Sequence, residues 1–329
     1  MMPSVAKLGP NLWINPRVEH WQKGPAMPAP AAVGGYQCDF WGHRGSGSTI
    51  FVEQKTFPLG STPLGLVQRR YLRATVNSVA GPGNFALMAV DIDGVHNFAG
   101  SRCTVPIIAR ADSNRSIAIR HDQYFGGGTG GSAAWTGVPQ TINLTPKWQR
   151  FDIVLDDWPS VVGKSIGSSD TDTDRIGIAM FLDAGSNWNS QTNNLGQQSG
   201  WFEFMRGEAR HDPHGAIPFM ENPWSDYSSE AELARCQTLL EVFSHKEIIW
   251  NGYVETGQYR WLGVPFKATK RRLPAVSVSK TGSLGFIGSV VCADKSLTGM
   301  QIAAVGTATL NSGYYQADVI VDANHPYTP

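Results

Sequence analysis

Charge is scarce in this sequence, and what there is cancels. Asp, Glu, Lys and Arg make up 16% of the 329 residues, against about a quarter in ordinary domains, and 27 cations face 27 carboxylates. Such a chain has no long-range basic field with which to gather nucleic acid, so no nucleic-acid partner is expected. Its one basic cluster, KATKRR at 267–272, is expected to be a solvated strand entrance. Long apolar runs are missing too. None approaches the ~20 residues that span a bilayer, and no apolar core of signal-peptide length follows the N-terminus. The expectation is a soluble protein, without membrane insertion, that stays off the general secretory route. Cysteine is sparse: Cys38, Cys103, Cys236 and Cys292 stand far apart with no CxxC pair, which excludes a zinc ribbon or a disulfide scaffold. They are expected as small buried hydrophobes in a protein made in a reducing cytoplasm.

Catalytic signatures are equally thin. There is no GxSxG elbow. The FGGGTGG run at 125–131 lacks the lysine and the following helix of a phosphate loop. Glu203, Glu208, Asp156, Asp157 and Asp183 offer carboxylates for glycoside hydrolysis, but any protein carries such residues and nothing pairs them across a sugar. The chain is therefore expected not to be an enzyme.

What is abundant is turn chemistry and tryptophan, with 36 Gly, 20 Pro and 11 Trp. From Tyr36 to about Phe219, short runs such as RRYLRATVNSV, NFALMAVDIDGV, RSIAIRHDQYF, WQRFDIVLDDW, DRIGIAMFLDA and GWFEFMRGE are separated by Gly, Asn, Asp and Pro. β-branched and aromatic runs punctuated in this way predict an all-β sandwich. One stretch differs. SSEAELARCQTLLEVF at 228–243 places Leu233, Cys236, Leu239, Leu240 and Phe243 at helical spacing behind a Ser229–Glu232 capping box, with Ser228 able to cap one step earlier. The expected organisation is an opening attachment segment over 1–35 and a sandwich over 36–243 closed by a helix at 229–243. A smaller C-terminal β-sandwich module follows over 244–329.

Two long polar loops carry tryptophan. FGGGTGGSAAW ends in Trp135, and DAGSNWNSQTNN sets Trp188 between Asn187 and Asn189. Flat aromatic faces suit sugar C–H surfaces and planar amides suit hydroxyls. Trp135, Trp188, Asn187, Asn189, Trp158 and Tyr124 are therefore the candidate glycan-binding residues. The same tryptophans also fit a plainer role, each folding down to staple its own loop. Trp13, Trp21 and Trp41 read as structural or intersubunit residues, and Trp250, Tyr253, Tyr259 and Trp261 are lesser candidates in the C-terminal module. In SSDTDTDR, Asp170, Asp172 and Asp174 stand at every second position and can offer oxygens to calcium, the one cofactor the sequence suggests. It is no EF-hand, because Arg175 and Phe181 occupy the Gly and Glu positions, and a solvated acidic turn explains the same residues. His211, Asp212 and His214, with His121 and Asp122, make a weaker metal set.

Several stretches, taken in order, resemble a family of phage virion proteins: tail-fibre, head-fibre and decoration proteins built on a jelly roll shaped like carbohydrate-binding modules. They are NLWINPRVEHWQKG (11–24), YQCDFWG (36–42), IRHDQYFGGG (119–128), LTPKWQRFDIVLDDWPS (144–160), FEFMRGEARHDPHGAIPF (202–219) and SSEAELARCQTLLEVF. Against the family's motifs, Cys38 replaces an alanine, Phe40 an arginine, and Thr238-Leu239 an Arg-Tyr pair. The resemblance covers residues 11 to 243 and, more loosely, the C-terminal module. It implies a spike or fibre on the surface of a phage, or of a phage-like particle such as a gene transfer agent, made in a bacterial cytoplasm. The implied partners are capsid or tail proteins, other copies of the chain, as in the often trimeric components of that family, and host surface polysaccharide met during adsorption. A purely structural decoration or tail protein without ligand is the alternative, and a capsular polysaccharide depolymerase a minor one.

Overall fold

The computed structural model describes every residue except 1–8, 33, 170–173, 221–223, 225–226, 239, 245, 271–273, 285, 307–309 and 323–329. The chain divides into two compact units, with the division falling between Glu232 and Leu233.

The first unit is built from thirteen strands: β1 (Gly35–Cys38), β2 (Trp41–Ser46), β3 (Thr49–Thr56), β4 (Arg70–Asn77), β5 (Phe85–Asp93), β6 (Cys103–Ala111), β7 (Arg115–Phe125), β8 (Trp135–Thr136), β9 (Gln140–Leu144), β10 (Gln149–Leu155), β11 (Asp174–Ala184), β12 (Gly200–Gly207) and β13 (Arg210–His211). They form two antiparallel sheets. One runs β1-β2-β5-β11-β7-β8 with β9 also on β7, and the other runs β10-β6-β12-β4-β3 with β13 also on β6. The last two long strands close the fold, β11 entering between β5 and β7 and β12 between β4 and β6. This interleaving is a jelly roll, and it accounts for most of the long-range pairing.

Period-two patterning decides which side chains go inside. Met88, Val90, Ile117, Ile119, Ile176, Ile178 and Met180 from the first sheet meet Val52, Leu72, Val105, Ile107, Phe202 and Phe204 from the second, all in one buried cluster. Removing each such side chain from water stabilises the fold by roughly 1.5–3 kcal/mol before entropy is counted. The opening segment belongs to this packing. Trp13 and Trp41 are fully buried, their ring centroids 4.8 Å apart. Asn15, buried with φ of 54°, donates from its amide to the carbonyls of His20 and Asp39 and accepts the indole N–H of Trp41 on its own carbonyl. Phe40 also sits at positive φ, 66°, where a bulky side chain is costly. Its ring is 2% exposed, so burial offsets part of the strain of the tight β1–β2 turn.

Among the described residues two short α-helices are present: α1 (Asn189–Thr192), in the loop after β11, and α2 (Ser229–Gln237). The helix expected over 229–243 ends at Gln237, and residues 240–243 are instead a strand, β14 (Leu240–Phe243). The helix is capped at the earlier of the two expected positions, Ser228 accepting the N–H of Ala231, and the Glu232 carboxylate accepts the N–H of Asn15 at 2.6 Å. Leu240 and Phe243 satisfy a strand as well as a helical stripe, and the ladder with the last strand won.

The second unit adds β15 (Ile249–Val254), β16 (Tyr259–Pro265), β17 (Ala275–Leu284), β18 (Phe286–Lys295), β19 (Gly299–Gly306) and β20 (Leu310–Asp322). Strands β14, β15 and β17 all pair with β20, and β16-β19-β18 form a second sheet. Phe243, Ile248, Met300, Ile302, Tyr315, Val319 and Val321 form the core of this smaller sandwich. The basic cluster is not a solvated entrance throughout. Lys270 is 2% exposed and pairs with the buried Glu241 at 3.0 Å, whose carboxylate also accepts the N–H groups of Lys267 and Ala268. Among the described residues no helix is long and apolar enough to cross a membrane.

Candidate functional site

Outward-facing positions of the jelly roll's two sheets carry different chemistry. On the six-stranded sheet, the register sets Glu53, Arg73, Glu203 and Arg110 in one row across β3, β4, β12 and β6. The next row holds Phe51, Thr75 and Trp201. Trp148 immediately precedes β10, which places it beside Arg110.

Glu203 is the hub of this face. Its side chain is fully buried, and it takes Arg73 at 2.5 Å on one carboxylate oxygen and Arg110 at 2.6 Å on the other. A carboxylate so buried is tolerated only with close cationic partners. Each guanidinium lies in turn over an indole, Arg73 at 4.7 Å from the Trp201 centroid and Arg110 at 4.6 Å from that of Trp148. Tyr71, Trp148 and Phe57 pack against one another beside them, at 4.6–5.7 Å. Both arginine side chains stay 26% exposed, and Trp148 and Trp201 are half-buried. Glu53 is held by Lys55 at 2.8 Å. The other end of the sheet is covered: Arg150 donates to the carbonyls of Ile217 and Met220, and Trp224 lies under the guanidinium of Arg206 at 4.8 Å. What stays open is a floor of fixed guanidiniums edged by indoles, able to donate in fixed directions and to offer flat apolar surface at once.

The seven-stranded sheet shows apolar side chains on its outer face, Phe85, Leu87, Ala89, Ala179 and Phe181, and the loop after β11 folds over them. Trp188 packs edge-on against Phe85 at 4.7 Å, lies 5.7 Å from Phe181, and donates its indole N–H to the carbonyl of Gly83. Asn187 is exposed and Asn189 half-buried. Asn189 helps line a shallow groove of about 340 Å³ with Ser186, Gln197 and the 81–82 turn. Trp158 is 3% exposed, wedged between His121 at 4.6 Å and Phe98 at 5.7 Å, so its ring offers no face to a ligand. Trp135, half-buried, packs edge-on to the same His121 at 5.5 Å. Burial pulls the pKa of His121 down, against the opposing pull of Asp157, which is 2.6 Å away. Tyr124 is half-buried beneath the guanidinium of Arg175, 4.2 Å from its ring centroid. The structure therefore does not bring the sequence-predicted candidates into one surface. Trp135 and Trp158 share a cluster, Trp188 anchors its own loop, and Tyr124 is an arginine platform.

Of the calcium candidates, Asp170 and Asp172 lie outside the described residues. Asp174 begins β11, and its carboxylate accepts the N–H of Val95 at 2.8 Å. The weaker metal set is dispersed. The Asp212 carboxylate accepts Thr104 Oγ1 and the N–H groups of Ala216 and Ile217, and His211 bonds Ser101. Among the described residues no group of three His, Cys, Asp or Glu is arranged to hold a metal. Of the carboxylates considered for hydrolysis, Glu203 and Glu208 are ion-paired and buried. Asp183 is buried, accepting Ser78 Oγ and the N–H of Gln198.

Trp201, Trp148, Tyr71, Arg73 and Arg110 were not singled out from the sequence as a site. A signal was present. In RRYLRATVN, TVPIIARA and GWFEFMRG, the positions alternating with the apolar core set are Tyr71, Arg73 and Thr75, then Ile108 and Arg110, then Trp201 and Glu203. What the alternation lacks is which strands are neighbours.

No family model matches the chain, and no curated protein sequence matches it. Solved structures similar to it include a family 11 carbohydrate-binding module from Clostridium thermocellum in complex with a β-1,3-1,4-mixed-linked tetrasaccharide. That module is 11% identical over 54% of this chain and 96% of its own, with a TM-score of 0.30. The xylan-binding CBM22-2 domain of Paenibacillus barcinonensis Xyn10C is 12% identical over 52% and 91%, with a TM-score of 0.31. The enzymatically active domain of a bacteriophage CBA120 tailspike is 11% identical over 52% of this chain and 19% of that one, with a TM-score of 0.30. The fold assignment rests on the strand order itself.

Proposed function

We propose that this protein is a non-enzymatic spike, fibre or decoration component of a phage or phage-like particle, and that its jelly roll binds host surface polysaccharide during adsorption. The observation that carries the binding half of this reading is the open end of the six-stranded sheet. Arg73 and Arg110 are locked by Glu203, stacked on Trp201 and Trp148, and left partly exposed. Sugars present C–H faces and hydroxyl edges together, and this floor answers both. The particle half is supported by the ordered motifs over residues 11–24, 36–42 and 202–219, the first two of which meet where Trp41 donates its indole N–H to the carbonyl of Asn15. The protein is made in the bacterial cytoplasm and carried on the particle surface, joined to capsid or tail proteins and to other copies of itself.

The test is a glycan array probed with the purified full-length protein, followed by Trp201→Ala. Binding that is lost in this variant while the fold is retained supports the reading. Clean folding with no glycan bound at millimolar ligand overturns it in favour of the purely structural role. That second role draws its own support from Trp158, buried between His121 and Phe98, and from Trp188, which packs onto Phe85 and bonds the carbonyl of Gly83.

A further inference from the structure

Resting on the glycan-binding reading, we infer that the platform on the six-stranded sheet selects acidic polysaccharide, with a sugar carboxylate seated against the paired guanidiniums of Arg73 and Arg110. Two cations share one buried anion here. Glu203 takes Arg73 through Nε and Nη2 and Arg110 through Nε. Each guanidinium has five N–H donors, and those not spent on Glu203 have no protein acceptor among the described residues. The neighbouring acids do not cancel the surplus. Glu53 is occupied by Lys55 at 2.8 Å, and Asp112 is bound by Arg115. One positive charge is therefore left in excess on a surface whose arginine side chains are only a quarter exposed, where screening by water is reduced.

The geometry favours a carboxylate over a sulfate or a neutral hydroxyl pair. Glu203 pins both guanidiniums, so an incoming planar anion meets forks that need no further ordering, and fork-to-carboxylate pairing is the arrangement arginine makes best. Trp201 and Trp148 then flank the charge with apolar surface, for the C–H faces of the sugar that carries the carboxylate or of its neighbours. A neutral glycan satisfies the indoles but leaves the spare donors to water.

The experiment compares polygalacturonate oligomers with the same oligomers after reduction of the carboxyl groups, by calorimetry on the full-length protein at low and high salt. The expected result is binding of the acidic form at least about tenfold tighter than the reduced form, weakening as salt rises. Arg110→Lys keeps the charge and the partner of Glu203 but loses the fork, and is expected to cost about tenfold in affinity for the acidic form alone. Its thermal melt reports whether the sheet is intact. Equal binding of both forms, or binding of neutral array glycans with none of the acidic ones, overturns the acidic selectivity and leaves the glycan-binding reading standing. No binding to any glycan by an intact protein overturns both.

Discussion

The two outer faces of the jelly roll, both made by antiparallel strands, have opposite fates. On the seven-stranded sheet the outward positions are Phe85, Leu87, Ala89 and Phe181, and the loop carrying Trp188 and Leu195 closes over them. On the six-stranded sheet they are Arg73, Glu203, Arg110 and Trp201, and among the described residues no such loop packs onto that end. The lesson concerns tryptophan. A loop indole close to an apolar sheet face gains more by folding onto it than by waiting in water. A strand indole beside guanidiniums cannot move inward, because the pleat fixes its side and the row of charges keeps that side open.

Several measurements break or sharpen this contrast. The largest expected effect is Phe181→Ala, which empties the interface between sheet and loop. About 3–5 kcal/mol should be lost in urea unfolding, with glycan affinity unchanged for the protein that remains folded. If affinity falls in step with stability, the two faces are not independent.

Acid comes next, and it acts through the seven-stranded sheet. Burial, with a smaller push from Lys23, lowers the His43 pKa from 6.5 to about 4. The unfolded chain takes up this proton as pH falls through 6.5, while the folded one stays neutral until about pH 4. His43 therefore subtracts stability progressively between those values, up to about 3 kcal/mol, and has no effect above them. Asp39, whose carboxyl is pushed up by burial, works in the opposite sense. The informative quantity is thus the difference between His43→Gln and the parent, measured by unfolding at pH 7, 5.5 and 4.5. A difference that does not change with pH removes His43 as the cause.

Glu203→Gln should cost about 2 kcal/mol by leaving two guanidiniums, each about a quarter exposed, facing each other without their anion, and should loosen the platform as well. Trp188→Ala should cost about 1–2 kcal/mol, since the ring is half-buried and its one indole hydrogen bond goes to Gly83. Glycan binding should survive that change. Trp201→Ala should do the reverse, weakening binding about tenfold while moving stability by less than about 1 kcal/mol. An outcome with these two tryptophans exchanged would return the site to the loop.

Much of the architecture is legible in the sequence. The apolar runs in NFALMAVDIDGV and DRIGIAMFLDA, bounded by turn residues, mark strands, and the near-alternation in RRYLRATVNSV marks a buried side, because pleat geometry has a period of two whatever the neighbours. The stretch 228–243 was read too far as a helix, because Leu240 and Phe243 fit both periods and only pairing with β20 separates them. Lys270 was expected in solvent because charge is usually solvated. Its partner Glu241 lies 29 positions earlier in the chain, and no local pattern announces such a pair.

The candidate residues lie on separate parts of the roll, for the same reason. Composition pointed to tryptophan-tipped loops, and sequence has no means of telling whether a loop lies near an apolar face. Local chemistry determined that this chain would be two stacked layers of strand with aromatic side chains to spare. Only the tertiary register decided which aromatics remain available. It set Glu203 between Arg73 and Arg110, each more than 90 positions from it in the chain, and it folded Trp188 onto Phe85. Strand identity is a short-range property of a sequence, whereas the neighbour across a sheet is fixed by the closure of the whole roll.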